Sequence, residues 1–169
     1  MYKKLALALC ALVSFCGFQS CGNDDDNTQK VDPAFTQALA TVKPNLKSVN
    51  WEKKNNYIVA EGRDGKYDVE VWFTADAKWA MTETEFNQDV NQLPQAVVNT
   101  IKASAEYGTW LVDDIDFYER PDLSFYVVEL EGPASTDIYV YITPAGNVLK
   151  TTPRNEEVTP VTSFLTPGA

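Results

Sequence analysis

The chain has 169 residues, with 24 acidic side chains against 14 basic ones, no histidine and a net charge of -10. Such acidity argues against nucleic acid, whose phosphates need clustered Lys and Arg. The missing histidine removes Ser-His and Cys-His nucleophile pairs and imidazole metal sites.

Met1 to Lys4 is a positively charged start, and Leu5 to Phe18 is an apolar run too short for an ordinary transmembrane span. Residues 1–20 therefore read as a removable signal peptide. Cys10 and Cys16 fall inside it, so Cys21 is the one thiol of the mature chain and an intramolecular disulfide is impossible. Phe18-Gln19-Ser20-Cys21 resembles a bacterial lipobox. That resemblance implies a Cys21 that carries acyl chains and a membrane reached through N-terminal lipid, each buried CH₂ contributing about 0.8 kcal/mol. Residues 21–31 form an acidic tether. Gly22 to Asn27, with Asp24, Asp25 and Asp26, is similar to the export signal of surface-displayed lipoproteins, which implies an outer-membrane protein facing the exterior. A solvated tether facing the periplasm is the alternative. The run lacks the glycine and closing glutamate of a calcium loop, and neither a metal nor a cofactor is expected.

Asp32-Pro33 pairs an N-cap with a first-turn proline, and Phe35, Ala38, Leu39 and Val42 recur on one helical face until Pro44. A second helix near Leu93-Pro94 carries Leu93, Ala96, Val97, Thr100 and Ile101 on one stripe. Three strands follow each helix. In the first half they begin at Val49, Tyr57 and Tyr67, with a hairpin at Arg63-Asp64-Gly65-Lys66. In the second they begin at Leu111, Phe125 and Asp137.

YDVEVWFTADAKW (67–79) aligns without a gap on TDIYVYITPAGNV (136–148), the mark of an internal repeat. Val69, Val71 and Phe73 then match Ile138, Val140 and Ile142 on a helix-covered face. Glu70 and Trp72 match Tyr139 and Tyr141 on the other. The expected fold is α+β: two tandem repeats of a helix plus antiparallel strands, forming one sheet with the helices on one face. The folded domain spans 32–152, and 153–169 is an irregular Thr/Pro-rich tail in which Phe164-Leu165 is the apolar anchor.

LPQAVVNTIK (93–102), DGKYDVEVWF (64–73), SFYVVEL (124–130) and AGNVLK (145–150) carry a resemblance to the PepSY-like family of bacterial secreted proteins, similar in fold to the β-lactamase inhibitor protein. It spans about residues 33 to 152. The resemblance implies a non-catalytic protein that binds or inhibits another protein, often a peptidase.

The residues themselves offer little catalytic chemistry. Gly-x-Ser-x-Gly, Ser-x-x-Lys and a phosphate-cradling glycine loop are all missing. Asp113, Asp114 and Asp116 form the densest acidic cluster of the folded part and are expected on the solvent side of a strand. Trp51, Trp79 and Trp110 sit at element ends, as packing residues do. Two helices cover only one face of so wide a sheet. Glu70, Trp72, Tyr139 and Tyr141 are therefore the candidate binding face, since Trp and Tyr dominate interface hot spots. An unidentified protein or peptide is the expected partner. A peptide- or glycan-binding accessory shares that surface, and a small carboxylate-dependent hydrolase is the remaining alternative.

Overall fold

Ala34 N–H donates to Asp32 Oδ1 at 2.8 Å and Pro33 fills the first turn, so α1 (Pro33–Val42) begins where the sequence predicts. Its last bond is Lys43 N–H to Leu39 O at 2.8 Å, one residue before Pro44, and Phe35 and Leu39 are buried. The second helix, α2 (Gln95–Ala103), has Pro94 at its N-cap and buries Val97 and Ile101. A single 3-10 turn at Val90–Gln92, capped by Asp89, leads into it.

The computed structural model describes residues 31–154. The signal peptide, Cys21, the acidic run 24–26 and Phe164-Leu165 lie outside the described residues.

Among the described residues, eight strands pair antiparallel in sequence order to form one sheet. They are β1 (Lys47–Lys54), β2 (Tyr57–Asp64), β3 (Tyr67–Phe73), β4 (Trp79–Glu85), β5 (Leu111–Glu119), β6 (Ser124–Glu131), β7 (Ile138–Ile142) and β8 (Val148–Pro153). The class is α+β, and each helix is followed by four strands. The sequence reading has no strand over Trp79–Glu85, and its irregular tail begins where β8 is still paired, at Pro153.

Strand alternation divides the core in two on the helix side. Phe35 and Leu39 of α1 pack on Ala60, Val69, Val71 and Phe73. Phe35, Trp51 and Phe73 form a ring triangle with centroids 6.1–6.2 Å apart. Val97 and Ile101 of α2 pack on Ile115, Tyr126, Val128, Val140 and Ile142. The end tryptophans behave as packing residues: Trp51 and Trp79 join the first cluster and Trp110 the second.

The turns after β3 and β7 are alike atom for atom. Thr74 N–H bonds Lys78 O and Ala77 N–H bonds Thr74 O, each at 2.9 Å. Thr143 N–H bonds Asn147 O at 2.9 Å and Gly146 N–H bonds Thr143 O at 2.8 Å. The fourth residue has positive φ in both, +58° at Ala77 and +85° at Gly146. Gly146 also lies against α2, where a Cβ would meet Ala96 O at 2.8 Å, and its carbonyl accepts from Thr100 Oγ1 at 2.9 Å.

Ala77→Gly should therefore raise stability by about 1 kcal/mol by relieving a left-handed alanine. Gly146→Ala should lower it by more, because strain and a backbone clash add. Urea midpoints of the two variants, read against the parent, check both signs.

Candidate functional site

No helix of the described residues lies between water and the other face of the sheet, and its residues fall into two zones. Trp72, Met81, Tyr118, Phe125, Val127 and Tyr141 make one apolar cluster with Val59, and Tyr57, Leu123 and Tyr139 pack against it. Rings link it across strands: Tyr57 to Trp72 at 5.9 Å, Tyr118 to Phe125 at 5.2 Å and Phe125 to Tyr141 at 6.2 Å. Lys54 Nζ stands 5.5 Å from the centre of the Trp72 ring, and Lys150 Nζ 4.3 Å from that of Tyr141.

The second zone is acidic, and pairing register builds it. Glu61 lies opposite Glu70, which lies opposite Glu83. Asp68 lies opposite Glu85, which lies opposite Asp116, and Asp114 opposes Glu129. Like charges directly opposed on a sheet destabilise it. At one end Lys54 Nζ answers three of them, 2.7 Å from Glu52, 2.8 Å from Glu61 and 2.6 Å from Glu70. Burial alone would lower the Lys54 pKa, but hydrogen bonds to Glu61 and Glu70 and their charges hold it above its ordinary value. Glu52, Glu61 and Glu70 also have oxygens within 4.8 Å of one another, the spacing of metal ligands, and the Lys54 ammonium already bonds all three. At the other end Arg154 reaches Glu129 at 2.8 Å and Asp137 at 3.3 Å.

Between those ends burial raises the carboxyls of Glu83, Glu85 and Asp116 above their ordinary values. Burial first, and then the charge of Asp114, Glu83, Glu85 and Glu129, pushes Asp116 from 3.8 up to about 8. Burial also raises Glu83 from 4.5 to about 7, against the Tyr118 hydroxyl that donates to it at 2.8 Å. A pocket of about 540 Å³ opens beside them between Asn50, Glu61, Arg63, Asp68, Glu70 and Glu85. A bulge in β1 between Lys47 and Asn50, with Ser48 at φ +55°, shapes its rim.

The family described as "Putative beta-lactamase-inhibitor-like, PepSY-like" matches residues 56–150. The chain belongs to this family. A BLIP-like protein from Bacteroides fragilis is 34% identical, with a TM-score of 0.68 over 79% of this chain and 94% of that one. A DUF2874 family protein from Bacteroides uniformis is 27% identical, with a TM-score of 0.64 over 73% and 90% of the two chains. A Bacteroides eggerthii protein described as putative periplasmic shares 23% identity, with a TM-score of 0.67 over 78% and 95%. The chain matches no curated protein.

Within this PepSY-like fold, Glu70, Trp72, Tyr139 and Tyr141 share the helix-free face, as their register predicts. Trp72 is only 7% exposed and Tyr141 only 2%, so their rings are not laid open to water. Tyr139 and Glu70 are half-buried. Ile115 turns to the helices while Asp114 and Asp116 turn away, but Asp116 Oδ1 is fully shielded rather than solvated. Glu83 and Glu85 were not singled out by sequence reasoning. The signal was an alternation of Met81, Glu83 and Glu85 with Ala80, Thr82 and Thr84, in which neither face is uniformly apolar.

These raised values set a pH dependence. Below about pH 4 Glu83 and Asp116 are protonated in folded and unfolded chains alike, and they contribute nothing. Between about pH 4 and 8 the unfolded chain releases protons that the folded chain retains, so stability falls as pH rises. Asp116→Asn should flatten this slope, stabilising at pH 8 and changing little at pH 4. Parallel pH profiles for parent and variant in chemical denaturation would contradict the assignment.

Proposed function

We propose that the protein is a non-catalytic, lipid-anchored envelope protein that binds or inhibits another protein, a peptidase among the candidates, through the helix-free face. The observation that carries this reading is the face itself: an eight-stranded antiparallel surface with an acidic pocket beside an aromatic cluster. Its fold relatives include a BLIP-like protein. Tyr57 and Tyr139, half-buried against that cluster, are rings open to a protein partner, whose binding energy concentrates in a few Trp, Tyr and Arg contacts. The matched turns at Ala77 and Gly146 support two tandem copies as the origin of the sheet.

Anchoring rests on Ser20-Cys21 behind the apolar leader, and the three aspartates that follow favour display at the outer-membrane surface over a periplasmic orientation. The description of the Bacteroides eggerthii relative as periplasmic agrees with an envelope address. Cys21→Ala should abolish incorporation of labelled palmitate in cells. Undiminished labelling of that variant would remove the lipid.

Capture of partners from envelope extracts on the immobilised protein tests the face. Tyr139→Arg, on the helix-free side, should lower the yield of the captured partner at least tenfold, equivalent to about 1.4 kcal/mol. Lys102→Glu, exposed on α2, should leave it unchanged. The opposite ranking would put the binding surface on the helix side.

A further inference from the structure

Among the described residues, ion-paired cations of the helix-free face stand at its ends. Lys54 bonds Glu52, Glu61 and Glu70, Arg63 pairs with Asp68 at 2.8 Å, and Arg154 pairs with Glu129 and Asp137. Among the described residues Glu83, Glu85 and Asp116 have no ion pair, although register sets Glu85 directly between Asp68 and Asp116. Asp116 Oδ1 is shielded and has no hydrogen-bond partner. Trp72, on the same face and 7% exposed, holds an indole N–H that no acceptor meets. The pocket of about 540 Å³ opens at Glu85, which is itself exposed.

Two features choose the chemistry of the missing group. Among the described residues only Glu52, Glu61 and Glu70 converge within 4.8 Å, so the middle carboxylates are too spread to hold a bare metal ion. An ammonium or guanidinium on a long stem carries several donors and spans such a set. Lys54 shows the arrangement in miniature, with its ammonium 2.6–2.8 Å from three carboxylates and 5.5 Å from the Trp72 ring centre.

Resting on the binding role above, we propose that the acidic middle of this face receives a Lys or Arg side chain from an extended, basic segment of the partner protein, entering through the pocket at Glu85, the register neighbour of Asp116 and two residues along β4 from Glu83. The incoming charge replaces protons that burial first, and then the neighbouring carboxylates, favour on Glu83 and Asp116, so association releases protons at neutral pH. The groups facing that proton exchange are Asp68 and Glu70 on β3, Asp114 and Tyr118 on β5, Glu129 on β6 and Lys54 on β1.

The probe is a labelled octapeptide of alternating Ser and Lys, and its control has norleucine in place of Lys. Both are titrated into the full-length protein in detergent, with anisotropy reporting binding and calorimetry in two buffers reporting protons. The lysine peptide should bind at least about tenfold more tightly than the norleucine one and weaken with salt. Its binding should release protons at pH 7, and Glu85→Gln with Asp116→Asn should weaken it about tenfold. Glu106→Gln, an exposed acid beyond α2, should leave binding unchanged. Equal binding of both peptides, equal weakening by Glu106→Gln, or displacement by calcium alone at matched ionic strength would each overturn the proposal. A captured partner that binds the double variant as well as wild type would also overturn it while leaving the binding role intact; loss of capture in Tyr139→Arg is the separate criterion for that role.

Discussion

Strand register is the constraint on which everything else in this molecule rests. Side chains along a strand alternate with a period of two, so a slip of one residue in β3 would put Glu70 and Trp72 under α1 and turn Val69, Val71 and Phe73 to the other side. The two ends of β3 are pinned independently. Gly65 at φ +65° closes the hairpin before it and the Thr74–Ala77 turn follows it. The same turn follows β7, where Gly146 touches α2 directly. Helix position, core composition and the chemistry of the free face are thus set together.

That shared origin explains why the free face carries such unfavourable electrostatics. Facing acids across β2 to β6 gain nothing for folding, and burial pushes two of them up to about 7 and about 8. An apolar or alternating-charge lattice would serve stability better. The helix side has no comparable conflict, since its buried residues are almost all apolar. Conflict confined to one surface is what a site selected for binding rather than for stability looks like.

Much of the architecture was legible because its signals are local. The Asp32-Pro33 start, the Leu93 to Ile101 stripe and the Asp64-Gly65 turn each declare themselves within a few residues, and the 67–79 with 136–148 alignment sorted the faces of β3 and β7 correctly. Strand β4 was hidden because its helix-side residues Thr82 and Thr84 are buried hydroxyls, so hydrophobicity does not alternate along it. The acidic centre was hidden for a different reason. Glu70, Glu83 and Asp116 come from three strands spread over 47 residues of chain, and only pairing brings them together. Burial of Trp72 and Tyr141 is likewise a property of the assembled cluster, which alternation alone does not report.

Among the described residues the sheet ends at β1 and β8, and an unpaired sheet border invites a further strand from any passing chain. The β1 border answers this through the bulge at Lys47–Asn50. With Ser48 in a left-handed conformation, the strand cannot present an unbroken ladder, and exposed Lys47 and Lys53 add charge along it. At the β8 border, Pro153 ends the strand without a donor. The kink that shapes the pocket rim therefore also guards the molecule against edge-to-edge aggregation, and a repair of the bulge that straightened β1 would leave a border readier to pair with another chain.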